Sequence, residues 1–156
     1  MDIINKEYPK AINKFSTIIA INDELYEAFF LRGVAKFYLG DFKGAENDLN
    51  KAIDIKPYYP DAYLYRALTK DKMEDFHDAL KDYDKAISQQ PNNPLMYINR
   101  GVAKIMLEYY YSAIEDCNKL IEKYGSRGEM TYTEFARMHE ELTTRVCVTH
   151  IIDSTH

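Results

Sequence analysis

The pentapeptide Arg32-Gly33-Val34-Ala35-Lys36 returns letter for letter as Arg100-Gly101-Val102-Ala103-Lys104, with Arg66-Ala67-Leu68-Thr69-Lys70 midway between. The step is 34 residues, and it also links Ala45, Ala79 and Ala113, Asp48, Asp82 and Asp116, Lys51, Lys85 and Lys119, Ile53, Ile87 and Ile121, and Pro57 with Pro91. A period of this size constrains the fold more tightly than composition does. Such a unit is too short to bury an apolar face alone and must stack on its neighbours, which makes a solenoid.

Each unit reads as two helices joined by a tight turn. In the first, Ala28, Phe29, Arg32, Gly33, Ala35 and Lys36 recur at helical spacing until Gly40-Asp41, where glycine suits a left-handed helix end and aspartate caps the next helix. The second helix carries Phe42, Ala45, Leu49, Ala52 and Ile53 on one stripe, and Pro57 closes the unit. Pro60 and Pro94 open the following units, a position where proline is well tolerated. Gly33, Ala67 and Gly101 are expected where two helices approach closely, with Phe29, Tyr63 and Tyr97 filling the spaces between hairpins.

This pattern resembles the tetratricopeptide repeat: an aromatic, a small residue four on, glycine at the turn, alanine followed by a large residue, and a closing proline. Phe29, Gly33, Gly40, Ala45, Leu49 and Pro57 fit it, as do Tyr63, Ala67, Ala79, Tyr83 and Pro91, then Tyr97, Gly101, Ala113 and Cys117. The expected architecture is all-α, a right-handed superhelical solenoid of stacked helix-turn-helix repeats forming one domain. Its parts are an N-terminal half-repeat helix (1–25), repeats over 26–59, 60–93 and 94–127, and a C-terminal capping helix within 128–156. Tyr8, Ala11, Phe15, Ile18 and Ile19 lie one period before Phe42, Ala45, Leu49, Ala52 and Ile53, so the half-repeat resembles a second helix without its first. Thr131-Tyr132-Thr133-Glu134 reads as a capping box opening the last helix, with Phe135, Met138, Leu142 and Val146 as its stripe.

The chain departs from the family pattern at Arg32, Arg66 and Arg100, where leucine is usual, and at Lys36, Lys70 and Lys104, where tyrosine is usual. About a hairpin turning near Gly40-Asp41, Arg32 lies as far before the turn as Asp48 lies after it. Antiparallel packing sets the two at one height, and the planar guanidinium can hold a carboxylate by two hydrogen bonds. Intra-repeat ion pairs Arg32–Asp48, Arg66–Asp82 and Arg100–Asp116 are therefore expected in preference to an anion-binding strip, with the three lysines solvated.

In the family, first helices of successive repeats line a concave groove. By register the resemblance assigns to it Glu27, Phe30, Leu31, Val34 and Tyr38, then Asp61, Leu64, Tyr65, Leu68 and Lys72, then Leu95, Ile98, Asn99, Val102 and Met106. Some members clamp acidic chaperone tails with lysine and asparagine in the groove. Here Phe30, Val34 and Tyr65 hold the matching places, so the clamp is missing. An apolar groove suits an amphipathic helix or extended apolar segment of a partner protein.

Composition narrows the rest. A net charge of −5 with no basic block gives no nucleic-acid footprint. No apolar run approaches the ~18–20 residues that span a bilayer, so a soluble protein is expected, with the cytoplasm favoured. Tyrosine, at 14 residues, is frequent and suits half-buried seams and binding surfaces. Cys117 and Cys147 form no paired motif and read as small hydrophobes. No phosphate loop, nucleophile elbow or HExxH is present, and Cys147 with His150 makes too few ligands for zinc, so no cofactor, metal or catalysis is expected. The reading is a non-enzymatic scaffold for a protein or peptide. Its alternatives are a homodimerising structural element, through the unpartnered face of residues 1–25, and the regulatory arm of a larger protein.

Overall fold

The computed structural model describes residues 7–124, to which every structural statement below refers. These residues hold seven α-helices and no strand: α1 (Tyr8–Ile21), α2 (Tyr26–Leu39), α3 (Phe42–Ile55), α4 (Pro60–Lys72), α5 (Phe76–Gln89), α6 (Pro94–Met106) and α7 (Tyr110–Tyr124). They fall into two compact units that divide between Asn92 and Asn93. In the first, each of α1 to α4 packs on the next helix in chain order; in the second, α6 packs on α7. The expected helix over 131–152, with Cys147 and His150, lies outside the described residues.

The turns inside the helix pairs share one hydrogen-bond pattern. After α2, Gly40 takes φ 90°, and the Asp41 amide donates back to the Lys36 carbonyl at 2.9 Å. This satisfies a helix-end carbonyl that would otherwise be orphaned. Glu74 (φ 61°) and Glu108 (φ 63°) stand one period on and adopt the same left-handed backbone, with Asp75 donating to Lys70 at 2.9 Å and Tyr109 to Lys104 at 2.8 Å. A side chain at such φ costs roughly 1–2 kcal/mol, so the turn is imposed here by the packing of the pair. Asp41 caps α3 through the Gly44 amide, and Asn93 caps α6 through the Leu95 amide.

The core repeats with the period. Ala45, Ala79 and Ala113 are fully buried, and the next large position is Leu49, Tyr83 or Cys117, all buried. Gly33 is the close approach expected: an added Cβ would lie 3.1 Å from Leu49 Cγ and 3.3 Å from the Ala45 carbonyl oxygen. Gly101 departs from that expectation, since a Cβ there would meet nothing within 4 Å. Its smallness is not needed by the described residues.

Candidate functional site

The arginine–aspartate ladder forms as the register requires. Arg32 Nε and Nη2 donate to Asp48 at 2.8 and 2.6 Å, Arg66 to Asp82 at 2.8 and 2.6 Å, and Arg100 to Asp116 at 2.9 and 2.5 Å. The aspartates are buried, at 4%, 4% and 1% exposure. Each arginine also lies over the aromatic ring three residues before it, at 5.4 to 5.6 Å: Phe29, Tyr63 or Tyr97. The third nitrogen reaches the preceding element in the first unit, Arg32 Nη1 to Ser16 Oγ at 3.1 Å and Arg66 Nη1 to Asn50 Oδ1 at 2.9 Å.

The lysines correct the sequence expectation. Lys36, Lys70 and Lys104 do not point to solvent; their ammonium groups lie 2.8, 2.9 and 2.7 Å from the Oδ2 of Asp48, Asp82 and Asp116. One helical turn beyond the arginine, the lysine reaches the same carboxylate, so each buried aspartate holds two cations. The ladder is thus occupied within the protein, with its carboxylates pointing inward.

The predicted groove residues separate by exposure. In the first unit, Glu27, Tyr38, Asp61 and Lys72 are exposed, and Phe30, Leu31, Tyr65 and Leu68 are half-buried. Val34 and Leu64 are buried in the core, which removes them from any contact surface. In the second unit, Leu95, Val102 and Met106 are exposed, with Ile98 and Asn99 half-buried.

The first unit brings its groove aromatics together into a continuous chain of rings. Tyr8 stacks on Tyr38 at 5.4 Å, and the Tyr38 and Tyr65 hydroxyls lie 3.4 Å apart. Tyr65 meets Phe30 edge-on at 5.7 Å, Phe30 meets Tyr59 at 4.8 Å, and Tyr59 meets Tyr26 at 5.3 Å. Tyr8, Tyr26 and Tyr59 lie outside the register positions assigned to the groove, because Tyr59 precedes its helix and Tyr8 belongs to the stripe of a second helix. For Tyr26 and Tyr59 the one sequence signal is the excess of tyrosine. The Lys56 ammonium lies 4.5 Å over the Tyr26 ring and 5.5 Å over that of Tyr59, and it donates to the Tyr26 hydroxyl at 3.0 Å. Burial, then the nearby Asp61, Tyr26 and Glu27, push the Tyr59 hydroxyl up to about 12. Burial also raises Tyr65, helped by its hydrogen bond with Tyr38 and by Asp61. These phenols therefore stay neutral over the physiological range.

Elsewhere, Tyr83 fills the slot of Leu49 and donates its hydroxyl to Asp71, whose other oxygen is buried without a partner. Burial lifts the Asp71 carboxyl to about 6 and the Cys117 thiol to about 11, leaving the latter an inert core group. No three of His, Cys, Asp and Glu gather to hold a metal among the described residues, and none of their helices is long and apolar enough to cross a membrane.

Sequence profiles of the tetratricopeptide repeat match residues 26–59 and 60–93. Among solved structures, MamA superimposes with a TM-score of 0.75 at 25% identity, over 79% of this chain and 72% of that one. The yeast Sti1 TPR2B domain, solved in complex with a pHsp70 peptide, gives 0.67 at 25% identity over 77% of this chain and 97% of that one. The first such domain of Spaghetti, bound to an HSP90 peptide, shares the fold with a TM-score of 0.64 at 23% identity, over 76% of this chain and 93% of that one. Repeat period, helix pairing, the two profile matches and these likenesses agree on an all-α helical-repeat solenoid whose residues 26–93 are tetratricopeptide repeats.

Proposed function

We propose that the chain is a non-enzymatic protein-interaction scaffold that takes a peptide or amphipathic helix of a partner along its first helices. The observation that carries this reading is the run of half-buried and exposed rings on α2 and α4. Phe30, Tyr38 and Tyr65 keep a contact surface beside exposed polar groups, the composition from which protein interfaces draw their anchors. The Sti1 domain, solved in complex with pHsp70, supports a similar use at a similar size. An acidic chaperone tail is a poor candidate here, because Phe30, Val34 and Tyr65 replace the polar clamp and Val34 is buried. The test is to select ligands for the full chain from a random peptide display library and then measure their affinity for Tyr65→Asp. A loss of about tenfold or more is expected. Selected peptides that bind the variant unchanged, with the fold intact by circular dichroism, would refute the groove reading.

A second reading, self-association through α1, draws on Ile21, 83% exposed, together with the exposed Ile18 and Leu25. Ile12 and Phe15 on the same helix are half-buried. Sedimentation at micromolar concentration tests it: a dimer lost in Ile18→Glu/Ile21→Glu supports assembly, and a monomeric wild type ends it.

A further inference from the structure

The chemistry at one rim of the proposed groove points to the charge of its ligand. Glu27 and Asp61 occupy equivalent places one period apart, in the first turns of α2 and α4, and both are exposed. First-turn acids offset the helix dipole, so alone they indicate nothing. Here, however, they neighbour the ring chain in sequence, Glu27 following Tyr26 and Asp61 standing two residues after Tyr59, and both charges help to raise the Tyr59 hydroxyl, Asp61 that of Tyr65 as well. The molecule also demonstrates what those rings accept, since Lys56 sets its ammonium over Tyr26 and Tyr59 with a hydrogen bond to a phenol oxygen. Phe30, Tyr38 and Tyr65 continue that ring chain, Tyr38 with one face covered by Tyr8, and among the described residues no lysine or arginine lies over these three rings.

Resting on the groove reading above, we infer that the ligand is a basic one: an apolar peptide segment bearing arginine or lysine, its cation seated on the aromatic rings between Glu27 and Asp61. A guanidinium can lie flat on a ring while pairing with a carboxylate at its edge, so rings and acids reinforce each other. The acids would repel an acidic segment, and no groove lysine stands at the positions of Phe30 or Tyr65 to compensate. Lys72, the exposed cation of the groove residues on α4, lies at the far end of that helix from Asp61. The ligand's basic end therefore points to the first turns.

The test uses three fluorescein-labelled peptides of about 14 residues with one amphipathic leucine pattern and flanks of arginine, glutamine or glutamate. Fluorescence anisotropy is read against the full chain at about 0.15 M salt. The arginine peptide is expected to bind about tenfold more tightly than the glutamate peptide, with glutamine between. Glu27→Lys/Asp61→Lys should invert the order, and Tyr65→Ala should weaken all three, with circular dichroism confirming that both variants fold. Equal binding of all three peptides, weakened by Tyr65→Ala, overturns the charge inference and leaves the groove reading standing. A preference for arginine that survives both variants places the peptide elsewhere and overturns both. Binding of none overturns the charge inference, while the display selection decides the groove separately.

Discussion

The two cations on Asp82 should be individually dispensable and jointly essential. Arg66 holds both carboxylate oxygens and Asn50, whereas Lys70 adds a single contact at 2.9 Å. Replacing either with methionine keeps the aliphatic packing and leaves Asp82 neutralised by the other. Lys70→Met removes one charge-assisted contact from a half-buried site and should cost about 1 kcal/mol. Arg66→Met also loses the bidentate geometry and the Asn50 bond, so about 2 kcal/mol is expected. The double variant leaves a carboxylate at 4% exposure with neither cation, a situation that costs on the order of 3–5 kcal/mol. To that is added the lost Asn50 contact. The double should therefore exceed the sum of the singles by about 1–3 kcal/mol. Urea midpoints by circular dichroism, with slopes compared to confirm a common transition, give all four corners of the cycle. Additivity within about 0.5 kcal/mol would refute the shared-carboxylate reasoning. Pairing Arg66→Leu with an apolar residue at Asp82 is a poorer rescue than the ladder alone suggests, because it strands Lys70; a rescue must remove all three charges together.

Three further outcomes follow from the backbone and the core. Glu74→Gly should stabilise by about 1 kcal/mol by relieving the left-handed backbone, and a lowered thermal midpoint would contradict this. Gly33→Ala should destabilise, its Cβ crowding Leu49 and the Ala45 carbonyl, whereas Gly101→Ala should stabilise by roughly 0.5–1 kcal/mol through helix propensity. Urea midpoints moving the same way in both would sink the distinction. Asp71, raised by burial to about 6 from 3.8, binds its proton more readily folded than unfolded, so its contribution is full below about pH 4 and is lost as pH rises through about 6. Asp71→Asn should gain on the wild type over that window, and a pH-independent difference between the two would refute it.

The sequence carried what the period could carry. Arg66 and Asp82 are legible as a pair because equal distances from a turn become equal heights in an antiparallel pair. Lys70 escaped, since nothing in spacing tells that one carboxylate will take a second cation; that needs the length and direction of an actual side chain. The same gap separates Phe30 from Val34. Both sit on the groove-facing register of α2, but Val34 is buried and Phe30 remains part-exposed. Glu74 shows the converse: the residue argues against a left-handed turn, yet packing of α4 on α5 enforces one.

The arginine forks have a consequence for how the first unit comes apart. Arg66 belongs to α4, its aspartate to α5 and its asparagine to α3; Arg32 likewise ties α2 to α3 and, through Ser16, to α1. No single helix can detach without breaking a polar contact that also orders its neighbours. Opening one pair thereby weakens the interface to the next, which raises the nearest-neighbour coupling relative to the intrinsic stability of a repeat. Amide exchange should accordingly report α2 to α5 as one cooperative block, with graded fraying confined to the outer turns of α1.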